Sequence, residues 1–213
     1  MRYSVQIMNT DKNREDALTL EILDAVQRQS DVSQRHLARQ LGVALGLANS
    51  YLKRCVRKGY IKISEAPANR YLYYLTPTGF TEKSRLTAKY LAHSFSFYRQ
   101  ASESCTRIVA VCSQNAWRRL LLCGISDLAE IATLRAMEQD MEIVGFYDPQ
   151  SERQVYLHRP VFRQLDGLEN VDACVVTDLL TPQRTYEHLV GKLDPARVLV
   201  PDVLRLEQGP LPG

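Results

Sequence analysis

From Ser33 to Leu75 the chain reads as two short helices joined by a tight turn and followed by a hairpin. Between Val32 and Ser64 it carries seven Lys/Arg (Arg35, Arg39, Lys53, Arg54, Arg57, Lys58 and Lys62) and no Asp or Glu. Such a unit must bury its apolar face and leave its cations outside. Seven cations with no anion among them suit a surface that meets phosphate.

The local signals agree. Glu15 to Gln29 places Leu18, Ile22, Leu23 and Val26 on one helical face. Ser33 is an N-cap for a second helix whose Leu37, Ala38 and Leu41 face inward, and Gly42 closes that helix. A third helix spans about Leu45 to Lys58. Its inner face is Ala48, Leu52, Cys55 and Val56, and its outer face is Gly46, Asn49, Ser50, Lys53, Arg54 and Arg57. Strands near Tyr60–Ser64 and Tyr71–Leu75 form a wing with Arg70 at its tip. In a helix-turn-helix the second helix enters the major groove. Asn49 and Ser50 would then hydrogen-bond base edges, with Asn suited to adenine. Ser33, Arg35, Lys53, Arg54 and Arg57 would meet the backbone, and Arg70 the minor groove. The alternative is a trihelical core whose basic face is merely solvated.

LARQLGVALGLANSYLKRCVRKGYIKI and YLYYLTPTGFTEKSRLTAKYLAHSFSFY resemble the MarR-type winged-helix regulators, within them the group associated with exopolysaccharide gene clusters. The resemblance covers about residues 15–103. It implies a homodimer on a pseudo-palindromic double-stranded operator. APANR at the wing tip departs from the more charged tip of many members.

A long helix is expected from Thr78 or Gly79 to about Ser102, with Phe80, Leu86, Tyr90, Leu91, Phe95 and Tyr98 as an apolar stripe. Either it dimerises the chain or it packs within it. The polar run ASESCTRI suggests a boundary near residue 105. The expected organisation is a winged helix at 1–78, a linking or dimerisation helix at 79–104, and a second domain at 105–213. Charge divides the same way. Residues 1–104 hold 16 Lys/Arg against 9 Asp/Glu, and residues 105–213 hold 11 against 15.

In the second half strands at Arg119–Cys123, Glu142–Tyr147, RPVF, Asp172–Thr177 and Arg197–Val200 alternate with helices at Asp127–Gln139 and Tyr186–Lys192. Near-continuous apolar strands of this kind make a parallel sheet covered on both faces, a small Rossmann-like α/β domain. The turn Cys123-Gly124-Ile125-Ser126-Asp127-Leu128-Ala129 is where a nucleotide phosphate would sit on free helix amides. It keeps only the first Gly and the final Ala of G-x-G-x-x-G/A. Asp148 ends the second strand, where an acid would bond a ribose diol. Thr177 and Asp178 follow the fourth strand on the same rim. The alternative is that Gly124 serves a tight turn and Asp148 caps a loop.

LLLCGISDLAEIATLRAMEQDMEIVGFYDP, with RPVF and VDACVVTD, resembles the N-terminal Rossmann-like domains of sugar-modifying acyltransferases and polysaccharide-synthesis proteins, and more loosely CoA-binding domains. That likeness implies a nucleotide sugar, a CoA ester or NAD(H), held by Gly124, Ser126, Asp127, Leu128, Asp148, Thr177 and Asp178.

The four histidines are scattered, and the five cysteines form no CxxC pair, so neither metal binding nor a disulfide framework is expected. Cys123 is either a thiol activated by the neighbouring helix or plain core. No apolar run reaches the roughly 18 residues of a membrane span, and no leader is visible at the N-terminus. These features point to a cytoplasmic, non-enzymatic, DNA-binding regulator that answers to a nucleotide-type metabolite. The competing expectation is an enzyme or enzyme partner in glycan synthesis that uses its winged helix as an interaction module.

Overall fold

The computed structural model describes residues 11–66, 70–166 and 170–206. The chain divides into two units between Ser94 and Phe95.

The first unit holds α1 (Asp11–Arg28), α2 (Gln34–Leu41), α3 (Leu45–Arg57), the antiparallel strands β1 (Ile61–Ala66) and β2 (Arg70–Leu75), and the start of α4 (Pro77–Gln114). Its core is Ile22, Leu23 and Val26 from α1, Leu37 from α2, Leu52 and Cys55 from α3, Ile61 and Tyr73 from the hairpin, and Leu86 from α4. Turn chemistry sets the element ends. The Ser33 hydroxyl accepts from the His36 N–H at 3.1 Å, which caps α2. Gly42 at φ +65° ends that helix, its N–H returning to the carbonyls of Ala38 and Arg39.

The motif Thr76-Pro77-Thr78-Gly79 fastens the hairpin to α4. The Thr76 hydroxyl donates to the Gly59 carbonyl at 2.6 Å and accepts from the Gly79 N–H at 3.0 Å. Pro77 opens the helix, where its missing N–H costs nothing. A Cβ at Gly79 would sit 2.1 Å from the Tyr60 carbonyl oxygen, so only glycine lets the helix start against the wing. Lys83 pairs with Asp24 and Lys89 with Asp16, joining α4 to α1 at its surface.

The aromatic-bearing helix does not stop near Ser102. It runs on to Gln114, through the polar stretch expected to break it. Ala101, Ser104, Cys105, Val109 and Cys112 are all buried. They recur at three- and four-residue steps, so the stretch is amphipathic with a narrow, small-residue face. Ser104 is buried because its hydroxyl accepts from the Val203 N–H at 3.2 Å.

That part of α4 belongs to the second unit, an α/β domain. Strands β3 (Arg119–Cys123), β4 (Glu142–Tyr147), β5 (Val155–Tyr156), β6 (Arg159–Phe162), β7 (Ala173–Val176) and β8 (Val198–Leu199) make one sheet in the order β5-β6-β4-β3-β7-β8. The sheet is mixed rather than wholly parallel, because the two-residue β5 lies antiparallel to β6 at the edge. Without β5, the strands stand third-second-first-fourth-fifth in chain order, as in dinucleotide-binding doubly wound sheets. Ala101–Cys112 and α5 (Asp127–Met137) bury Leu120, Leu122, Ile143 and Val175 on one face. On the other, α6 (Pro182–Val190) contributes Leu189 to a core with Leu121, Cys123, Tyr147, Cys174 and Val176. Among the described residues no helix is long and apolar enough to cross a membrane.

Candidate nucleic-acid interface and a closed turn

On α3, Ala48, Leu52 and Cys55 are buried. Steps of 100° per residue then carry Gly46, Ser50, Lys53 and Arg57 to the opposite side. All four are exposed, as are Ser33, Arg35 and Arg39 around α2. Unlike α2 and α5, α3 begins without a side-chain cap, at Ala44, and unlike α5 it has no acid in its first turn. The helix therefore starts with amides that no side chain caps and carries cations at its end, an arrangement suited to a polyanion.

Two expected contact residues sit differently. Arg54 is half-buried and its guanidinium pairs with Glu15 of α1 at 2.6 Å. Asn49 is half-buried, with its carboxamide oxygen enclosed and unpartnered. In this rotamer it cannot offer an adenine both an acceptor and a donor. Arg70 opens β2, but its side chain and the wing tip at 67–69 lie outside the described residues. Sequence reasoning overlooked Leu45 and Leu47, which flank Gly46 and are 42% and 38% exposed. The signal was available, since apolar residues one position either side of a surface glycine cannot both be core.

The candidate residues of the second unit do come together, and they bind one another. Gly124 follows β3 at φ +111°, where a Cβ would lie 2.4 Å from the Asp178 Cα and N. The ends of β3 and β7 are thus in contact, which only glycine permits. The Ser126 hydroxyl accepts from the Leu128 and Ala129 amides at 3.1 and 3.3 Å, and donates to the Thr177 carbonyl at 2.5 Å. The Thr177 hydroxyl donates to the Gly124 carbonyl at 2.6 Å. The α5 amides on which a phosphate was expected are therefore already capped. Leu128 is buried core, while Asp127 is exposed in the first turn of α5. Asp148 accepts from the Gln150 amide at 3.0 Å, a loop cap.

Asp178 holds the turn before α6. Its carboxylate accepts from the Leu180 amide at 2.8 Å and the Thr181 amide at 3.2 Å, and from the hydroxyls of Thr181 and Thr185 at 2.9 and 2.7 Å. Burial pushes its pKa up, but these bonds more than offset burial and hold it below the usual carboxylate range. Cys123 is fully buried and its thiol is pushed up by that burial, with Cys174 beside it, so it is core and not an activated nucleophile. Among the described residues no group of His, Cys, Asp and Glu is placed to hold a metal ion.

With this geometry in view, residues 15–62 match the family described as winged helix-turn-helix DNA-binding. The match covers α2, α3 and most of α1. Among curated proteins none matches the chain. A solved structure similar to part of it is MepR, a transcription regulator of the Staphylococcus aureus multidrug efflux pump MepA. The likeness is 22% identity over 45% of this chain and 67% of that one, with a TM-score of 0.35.

The lowered pKa of Asp178 has a testable consequence. A carboxylate depressed in the folded state contributes stability above its unfolded pKa of about 3.9, and loses it as pH falls through the lower folded value. Asp178→Asn should therefore lower stability to urea at pH 7 by about 1 kcal/mol, discounted for its half-exposure. The gap from wild type should shrink as pH drops below about 4. A gap independent of pH would mean that the charge of the carboxylate is not what holds the turn before α6.

Proposed function

We propose that the chain is a DNA-binding transcription regulator that docks α3 in the major groove of a double-stranded operator. The observation that carries this is the outer face of α3 and α2. Arg35, Arg39, Lys53 and Arg57 are exposed there, and no acid in 32–64 offsets them. The matched winged helix-turn-helix family supports the same reading. Ser33 and Arg35, with Lys53 and Arg57, take the phosphate contacts, and Ser50 faces the bases. Arg54 acts chiefly in bracing α3 against Glu15.

The exposed face of α4 supports a homodimer, which would call for a pseudo-palindromic site. Phe80, Leu91, Phe95 and Tyr98 lie on one line of the helix and are exposed, while Leu86, expected in the same stripe, is buried in the first unit. Four large apolar side chains on one helix face are best covered by the same face of a second copy. The case for a nucleotide-type effector rests on strand order and resemblance. Ser126 and the Gly124–Asp178 contact occupy the turn where its phosphates would lie. Control of polysaccharide-related genes rests on resemblance alone, and no observation favours the glycan-enzyme alternative.

Two measurements test this reading. In fluorescence anisotropy with a random-sequence duplex, Arg57→Ala should weaken binding and reduce the slope of log K against log salt by about 1. An unchanged slope would place DNA elsewhere. In sedimentation, Phe95→Glu should shift the full chain from dimer to monomer at micromolar concentration. A variant that stays dimeric would remove α4 from the interface.

A further inference from the structure

The first two turns of α3 contain no charge. From Gln40 to Leu52 there is no Lys, Arg, Asp or Glu, and the first cation is Lys53. An element that enters a groove here leads with Leu45, Gly46, Leu47 and Ser50. It has no guanidinium or ammonium to take the two acceptors of a guanine edge, the commonest specific contact in the major groove. Asn49, the one residue suited to adenine, has its carboxamide oxygen enclosed.

The remaining groups are distinctive. A Cβ at Gly46 would meet nothing within 4 Å, and the residue has no positive φ. Neither packing nor backbone conformation within the described residues requires glycine there. Gly46 stands second in α3, in its first turn. Its bareness, with the small Ser50 one turn on, lets the helix axis approach a surface outside the protein. Leu45 and Leu47 lie on either side of that line, about 200° apart round the helix, and both are exposed, as are Arg35 and Arg39 on α2 and Lys53 and Arg57 further along α3. Two separate apolar side chains at the start of a helix whose charged groups are all cationic fit a partner that is anionic around apolar points. Duplex DNA offers such a point in its major groove, where the thymine C5-methyl is the apolar group on the base edges.

We propose that α3 reads sequence through thymine methyl groups, with Leu45 and Leu47 as the specificity-determining side chains and Gly46 and Ser50 allowing the close approach. This rests on the reading of the chain as a DNA-binding regulator and names what that interface recognises. The operator half-site then carries thymines at the positions under α3. Affinity comes from the cations, and discrimination from burying methyl groups against leucine.

The test alters first the DNA and then the protein. Duplexes are selected from a random library with the full chain, and each thymine of the selected site is replaced in turn by deoxyuridine. That change deletes the methyl and keeps every base-pair hydrogen bond. One or two positions per half-site should lose about 3- to 10-fold in affinity on replacement. Leu47→Ala and Leu45→Ala, both exposed and both compatible with a helix, should each abolish the thymine–uracil difference at one such position. If uracil binds as well as thymine at every position, or if neither leucine variant alters the difference, the inference fails while the regulator reading stands. If no duplex binds even at low salt, both fail.

Discussion

The burial of Ala48, Leu52 and Cys55 against the first unit's core fixes the rotation of α3, and what the molecule can present follows from that rotation. A helix has one phase. Once those three side chains are inside, Gly46, Ser50, Lys53 and Arg57 must be outside, and Asn49 and Arg54 fall at the margins. The marginal positions explain why neither is a free surface group. Asn49 is drawn under its neighbours, and Arg54 reaches back to Glu15 instead of outward. The hairpin and α4 then brace this arrangement through Thr76 and Gly79, which meet the backbone of Gly59 and Tyr60 just after α3.

In the second unit the same kind of residues serve the opposite end. Gly124, Ser126, Thr177 and Asp178 meet at the carboxyl ends of β3 and β7, where open sheets ordinarily hold ligands. Here a serine hydroxyl stands where a phosphate oxygen would, an aspartate spends its lone pairs on α6, and the two loops touch. A buried hydroxyl that satisfies two amides and one carbonyl is costly to displace.

Much of this could be read from the residues. Ser33 and Gly42 announced the ends of α2 by their chemistry, and the apolar runs RLLLC, EIVGFY and ACVV placed the inner strands. What escaped has physical reasons. ASESCTRI looked like a break because its composition is polar, yet the small buried face of Ala101, Ser104 and Cys105 keeps a helix period that composition does not reveal. The antiparallel β5 is two residues long, too short for any alternation to show. The pairing of Glu15 with Arg54 joins residues 39 positions apart, and nothing local signals it. The turn after β3 was recognised as a site by its glycine, but whether its amides were free or capped depended on where Ser126 pointed.

The direct test of the central claim, that the outer face of α3 meets DNA, is affinity cleavage from that face. All five native cysteines are buried, so Ser50→Cys offers one accessible thiol for an iron-chelate cleavage probe. Bound to a duplex, the labelled full chain should cut both strands in short clusters beside the major groove. The same probe on Leu134→Cys, exposed on α5 in the second unit, should give a weaker and different pattern. Cutting from position 134 with none above background from position 50 would contradict the account.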